Sequence, residues 1–196
     1  MPIILKGATS GQVTLDTPAI AGTNNLELPA ATGTIQLLKL ETSQATTSGT
    51  FKDFLNIPSW AKKITVMFNN VSTNGTSIVQ IQLGTSGGIQ STGYATETYS
   101  VQAAGAGLIT ATTGHTLTLN AGASDIIRGT ATYTLADAGN ATWVSTSYVQ
   151  YRTGVVSALS SSIKTLSGTL DRVRITTVNG TDTFDAGSVN ILIEGN

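Results

Sequence analysis

The sequence contains no cysteine, and that absence removes disulfide bridges, thiolate nucleophiles and zinc–sulfur sites together. Charge is scarce as well. Lys, Arg, Asp and Glu make up 11% of the residues, against roughly a quarter in an ordinary soluble domain. Ten cationic and eleven acidic side chains leave a net charge of −1, with none of the basic surplus that tracks a phosphate backbone or an anionic membrane. A nucleic-acid partner is therefore not expected. No apolar run approaches the ~18 residues of a membrane-spanning helix. The opening Met1-Pro2-Ile3-Ile4-Leu5 reaches Lys6 too soon to serve as the apolar region of a signal peptide. The expectation is a soluble chain made in the cytosol that does not insert into a membrane.

What is present is small and rich in hydroxyls. Thr supplies 34 residues, Ser 18 and Gly 21 of 196, over a third of the chain. Hydrophobic residues still reach 40%, which argues for a buried core and against a disordered tail. The length suits one domain with a short appendage.

Strands dominate the pattern. Segments 62–68, 76–83, 115–119, 143–151, 170–176 and 188–194 are rich in β-branched and aromatic residues. Several alternate with period two: Val79, Ile81 and Leu83 oppose Ile78, Gln80 and Gln82, and Val173 and Ile175 oppose Arg172, Arg174 and Thr176. Turn residues separate them, as at Asn74-Gly75, Ser86-Gly87-Gly88, Gly139-Asn140 and Asn179-Gly180. Between Val155 and Leu166 the apolar spacing fits a helix or a strand, and the intervening serines favour strand. The fold expected is all-β: an N-terminal extended arm of short strands, residues 1–44, followed by a jelly-roll-like β-sandwich head, residues 45–196.

The arm reads as tiny strands at Val13-Thr14-Leu15, Leu26-Glu27-Leu28 and Ile35-Gln36-Leu37. Segments of two or three residues do not make a stable isolated sheet. Val13, Leu15, Leu26, Leu28, Ile35 and Leu37 are therefore expected to pack against other chains.

Particular stretches resemble a known group of proteins. Lys6-Gly7-Ala8-Thr9-Ser10-Gly11-Gln12-Val13-Thr14-Leu15, with Pro18-Ala19 and Leu28-Pro29-Ala30-Ala31-Thr32-Gly33-Thr34, resembles the N-terminal arm of tailed-phage tail fibre and virion proteins. Ile57-Pro58-Ser59-Trp60-Ala61-Lys62-Lys63-Ile64-Thr65-Val66-Met67-Phe68 is similar to the globular domain that follows such arms. The stretch from Leu170-Asp171-Arg172-Val173-Arg174-Ile175 through Asn179-Gly180-Thr181-Asp182-Thr183-Phe184-Asp185 to Ile191 is the most specific match. The resemblance implies a phage structural protein with a β-sandwich head, usually trimeric, without enzymatic activity or cofactor. A tail fibre or fibre-tip component is the leading expectation, bound to other virion proteins through residues 1–44 and touching a host-surface glycan or protein. A capsid decoration protein is the alternative, and a carbohydrate-active tailspike-like enzyme stands well behind both.

Several residues invite chemistry. His115 is the only histidine; as a catalytic base it needs a carboxylate to orient it and a hydroxyl to activate. No nucleophile motif marks one, so a packed or surface imidazole is expected. Three copies of His115 on a trimer axis are the metal-binding alternative. Asp182 and Asp185 offer carboxylates to Ca²⁺, but their stretch lacks the acidic density of a calcium loop and Asn179-Gly180-Thr181-Asp182 is first a turn signal. As a glycosidase pair, two acids three residues apart in a turn have no fixed separation. Gly84, Gly87 and Gly88 are not followed by the Gly-Lys-Ser/Thr of a phosphate loop. The sequons at Asn70, Asn74, Asn140 and Asn179 are expected by chance at this Thr and Ser content. Among the aromatics, Tyr94, Tyr99, Tyr148 and Tyr151 are the candidates for receptor contact. Tyr94 and Tyr99 stand out because their Thr-rich stretch reads as a loop.

Overall fold

A computed structural model describes residues 3–6, 10–15, 36–102, 105–152 and 156–196. The chain divides into two compact units, Met1–Thr34 and Ile35–Asn196. In the first, β1 (Ile3–Lys6) and β2 (Gln12–Leu15) form an antiparallel hairpin with Ile3 opposite Leu15 and Lys6 opposite Gln12. Leu26, Leu28 and Ile35, expected to pack the arm, lie outside the described residues, as do the side chains of Val13 and Leu15.

The second unit is built from strands, with no helix among the described residues. In chain order they are β3 (Leu37–Leu40), β4 (Gln44–Ala45), β5 (Phe51–Phe54), β6 (Ala61–Thr73), β7 (Val79–Thr85), β8 (Gly88–Ile89) and β9 (Tyr94–Gln102). Then follow β10 (Gly105–Ala111), β11 (His115–Thr116), β12 (Ile127–Asp137), β13 (Thr142–Tyr151), β14 (Val156–Thr165), β15 (Arg172–Thr177) and β16 (Phe184–Gly195). The larger sheet runs β10-β9-β14-β13-β12-β6-β16-β3, with β4 also on β16; the smaller runs β11-β7-β15-β5, with β8 on β7. Every pairing is antiparallel. The result is a β-sandwich, as the pattern of short alternating strands predicts.

The core lies between the sheets. Ile64, Val66, Ile191 and Ile193 of the larger sheet and Ile81, Leu83, Val173 and Ile175 of the smaller are all fully buried in one cluster. Each such side chain contributes roughly 1.5–3 kcal/mol through removal from water, and period-two alternation aims them at one another. Gly129 marks a bulge where β12 crosses β6. Its φ is +138°, and a Cβ there would sit 2.2 Å from the Tyr148 carbonyl oxygen, so only glycine fits.

Three segments differ from the sequence reading. The stretch around Tyr94 and Tyr99, read as a loop, is the nine-residue strand β9. Segment 115–119 contributes only two residues of ladder, although the Leu117 amide still donates to the Val79 carbonyl at 3.1 Å. Strand pairing also reaches back to Leu37: β3 and β4 bond to β16, so residues 37–45, assigned to the arm and its boundary by sequence, contribute to the larger sheet.

Candidate functional site

The inner surface of the larger sheet is apolar under β6 and β16 but polar under β9, β14 and part of β13. Thr96, Thr98 and Ser100, then Ser160 and Ser162, then Ser145 and Ser147 all point inward and are buried. The short segment carrying β11 lies over them and supplies their partners. Thr98 Oγ1 donates to the Thr116 carbonyl at 2.9 Å, and Thr96 Oγ1 donates to the Gly114 carbonyl at 3.0 Å. Such a layer is tolerated inside a core because the hydroxyls of Thr96, Thr98, Ser145, Ser147, Ser160 and Ser162 are bonded, while Thr118 Oγ1 is a buried hydroxyl left without a partner.

His115 sits at the centre of this layer with 0% exposure. Its Nε2 is 2.6 Å from Ser160 Oγ, and its Nδ1 is 2.9 Å from the Tyr133 hydroxyl and 3.0 Å from Ser145 Oγ. Ser160 Oγ in turn is 2.5 Å from Ser147 Oγ. Hydroxyls donate or accept, so either tautomer of a neutral ring is satisfied. The Tyr133 ring meets the imidazole edge-on at 5.5 Å. Burial pushes the His115 pKa down to about 3 and raises that of the Tyr133 phenol well above its usual value.

A serine hydroxyl 2.6 Å from an imidazole nitrogen has the spacing of a nucleophile and its base. The rest of the arrangement differs from a triad. The group on the other ring nitrogen is a phenol or a serine rather than a carboxylate, the ring is neutral and weakly basic, and the assembly lies inside the sandwich. What it does chemically is tie four strands, β11, β12, β13 and β14, together.

Asp182 and Asp185 do not converge. Asp182 Oδ2 accepts from the Ser77 amide at 2.8 Å and its Oδ1 from Asn179 Nδ2 at 2.7 Å. The Asn179 bond, then that from Ser77, holds its carboxyl below the usual range. Asp185 instead accepts a short bond from Ser72 Oγ. One acid closes the turn after β15 onto the chain before β7, while the other fastens β16 to β6. Gly87 and Gly88 belong to the tight β7–β8 hairpin, Gly88 having a φ of +133°.

The four tyrosines part company. Tyr94 and Tyr151, expected as receptor contacts, are buried, at 3% and 1% exposure. Tyr94 crosses the sandwich: its hydroxyl accepts from the Leu83 amide at 2.6 Å, and Lys164 Nζ lies 5.4 Å from its ring centroid while donating to the Thr92 carbonyl. Burial raises the Tyr94 pKa and lowers that of Lys164. Tyr151 packs inward from the end of β13. Tyr99 and Tyr148 are exposed, at 46% and 52%, on the outer face of the larger sheet.

They share that face with residues not singled out by sequence. Tyr148 is opposite Leu159, Leu159 opposite Tyr99, and Tyr99 opposite Leu108, one row across four strands. Val101 flanks the row, and Ile163 lies beyond Ser161 on β14; both are also exposed. Glu97, Tyr99, Leu108, Leu159 and Ser161 line a shallow depression of about 260 Å³. Leu37, expected to pack the arm, stands exposed on edge strand β3 with Leu38 and Leu40.

Two features thus define the molecule: a β-sandwich with a sealed hydroxyl–imidazole layer inside, and an apolar sheet face outside. Compared with protein-family models, curated proteins and solved structures, the chain finds no match in any of the three.

Proposed function

We propose that this chain is a non-enzymatic structural protein of a tailed-phage virion. It is a homotrimeric tail-fibre or fibre-tip component, joined to other virion proteins through its N-terminal residues and presenting the sandwich toward the host surface. The observation that carries this reading is a contrast in polarity. The group best placed for catalysis, Ser160–His115, is sealed in the core, whereas the open face around Tyr99 and Tyr148 is built for contact rather than chemistry. A charge-poor scaffold of strands paired along their lengths suits a subunit that holds its shape.

Co-sedimentation with particles lacking the protein tests the reading. The full chain should pellet with them. A chain beginning at Gln36 keeps every strand of the second unit and should stay folded in the supernatant. A full chain that remains soluble beside the particles overturns the virion assignment, and a truncated chain that pellets equally well overturns the role of the N-terminal residues.

A further inference from the structure

We propose that the outer face of β10, β9, β14 and β13 is the surface through which one copy of this chain packs against the next. The inference rests on the homo-oligomeric part of the proposed function and names the surface that makes the contact.

The first argument is polarity. A strand at the surface of a sandwich normally turns its apolar side inward and its polar side to water. In β9 and β14 that order is reversed: Thr96, Thr98, Ser100, Ser160 and Ser162 are buried while Tyr99, Val101, Leu159 and Ile163 face out. Strands patterned this way are fully satisfied only when their outer side is covered too.

The second argument is area. Tyr99, Val101, Leu108, Tyr148, Leu159 and Ile163 are each between 44% and 57% exposed. The five in adjacent rows, all but Ile163, leave about 500 Å² of contiguous surface with ordinary side-chain areas, in the upper part of the range that monomers expose. It is most of the roughly 800 Å² that one partner contributes to a stable interface.

The third argument selects the occupant. Four of these six residues are aliphatic, and aliphatic side chains pack against protein better than against a sugar, whose hydroxyls need polar partners around an aromatic platform. The charges on the face also lie at opposite ends. Glu97 is on β9, while Arg128 is on β12, three strands away and four residues off in register on the other side of the apolar row, or roughly 20 Å at normal strand and residue spacing. Both are exposed. A rotation that sets the β9–β10 end of one copy against the β13–β12 end of the other brings unlike charges together.

The test is the solution mass of the full chain and its variants by light scattering, with host-cell binding measured in parallel. Leu159→Glu places a charge in the middle of the row and should shift the oligomer to monomer. Val178→Glu, at another exposed apolar site, should leave the mass unchanged. Glu97→Arg should weaken association about tenfold, and adding Arg128→Glu to it should restore association by exchanging the charges. A wild-type chain that is monomeric at all concentrations sinks both this inference and the homo-oligomer reading. An oligomer that survives Leu159→Glu, or a Glu97→Arg defect that Arg128→Glu does not relieve, overturns the inference alone. Unchanged mass with lost cell binding overturns it in favour of a receptor contact.

Discussion

Lowering the pH should unfold this protein through His115. In the folded chain the imidazole is fully buried among Tyr133, Ser145 and Ser160, with its pKa pushed down to about 3. In the unfolded chain it returns to the ordinary value near 6.5. Above about pH 6.5 both states carry a neutral ring and pH costs nothing. Below it the unfolded ensemble takes up a proton that the folded state refuses, so stability falls as pH falls, and the loss is complete only near pH 3. The slope approaches about 1.4 kcal/mol per pH unit, so moving from about pH 7 to about pH 5 should remove about 2 kcal/mol, before most carboxylates titrate. The assay is urea unfolding at both pH values and one fixed protein concentration, on the native chain and on His115→Gln, whose amide does not titrate. The native chain should lose the stated stability and the variant should be nearly flat over the same interval. Parallel pH dependence in the two proteins would refute the reasoning, because the proton would then be going elsewhere.

Three further outcomes follow from single contacts. Tyr94→Phe leaves the buried Leu83 amide without its acceptor and should cost about 1–3 kcal/mol in chemical unfolding; a neutral effect means that the cross-sheet bond is replaceable. Gly129→Ala forces a side chain into a φ of +138° and against the Tyr148 carbonyl, with an expected loss of about 2 kcal/mol or more; an unchanged Tm contradicts the bulge argument. Calcium or EDTA should leave the Tm unchanged, since Asp182 spends both oxygens on the Ser77 amide and the Asn179 side chain; a rise of several degrees with calcium contradicts that assignment.

How much of this was readable in the sequence depended on which side of each strand was apolar. In β6, β15 and β16 the residues at period two are those that reach the core, so Ile64, Val66, Val173, Ile175, Ile191 and Ile193 declared both the strand and its inward face. In β9 the period marks the outside instead. Threonine and serine fill its inward positions, and the same composition in a short sequence window reads as a loop. The His115 layer was legible only as a lone histidine placed with Leu117 and Leu119 on one strand face. Its partners lie 18, 30 and 45 residues further along the chain, on three strands whose pairing brings them together, and no local pattern encodes that. The separation of buried Tyr94 and Tyr151 from exposed Tyr99 and Tyr148 has the same origin. Alternation fixes that Tyr94 and Tyr99 point to opposite faces of β9, but only the opposing sheet decides which face is inside.

Immunogold electron microscopy of intact particles, with antibodies raised against the full chain, tests the central claim most directly. Gold particles concentrated at the tail, absent from particles lacking the protein, are the predicted result. Label confined to the capsid would contradict the tail-fibre assignment, and unlabelled particles from a lysate that contains the protein would contradict a place in the virion altogether.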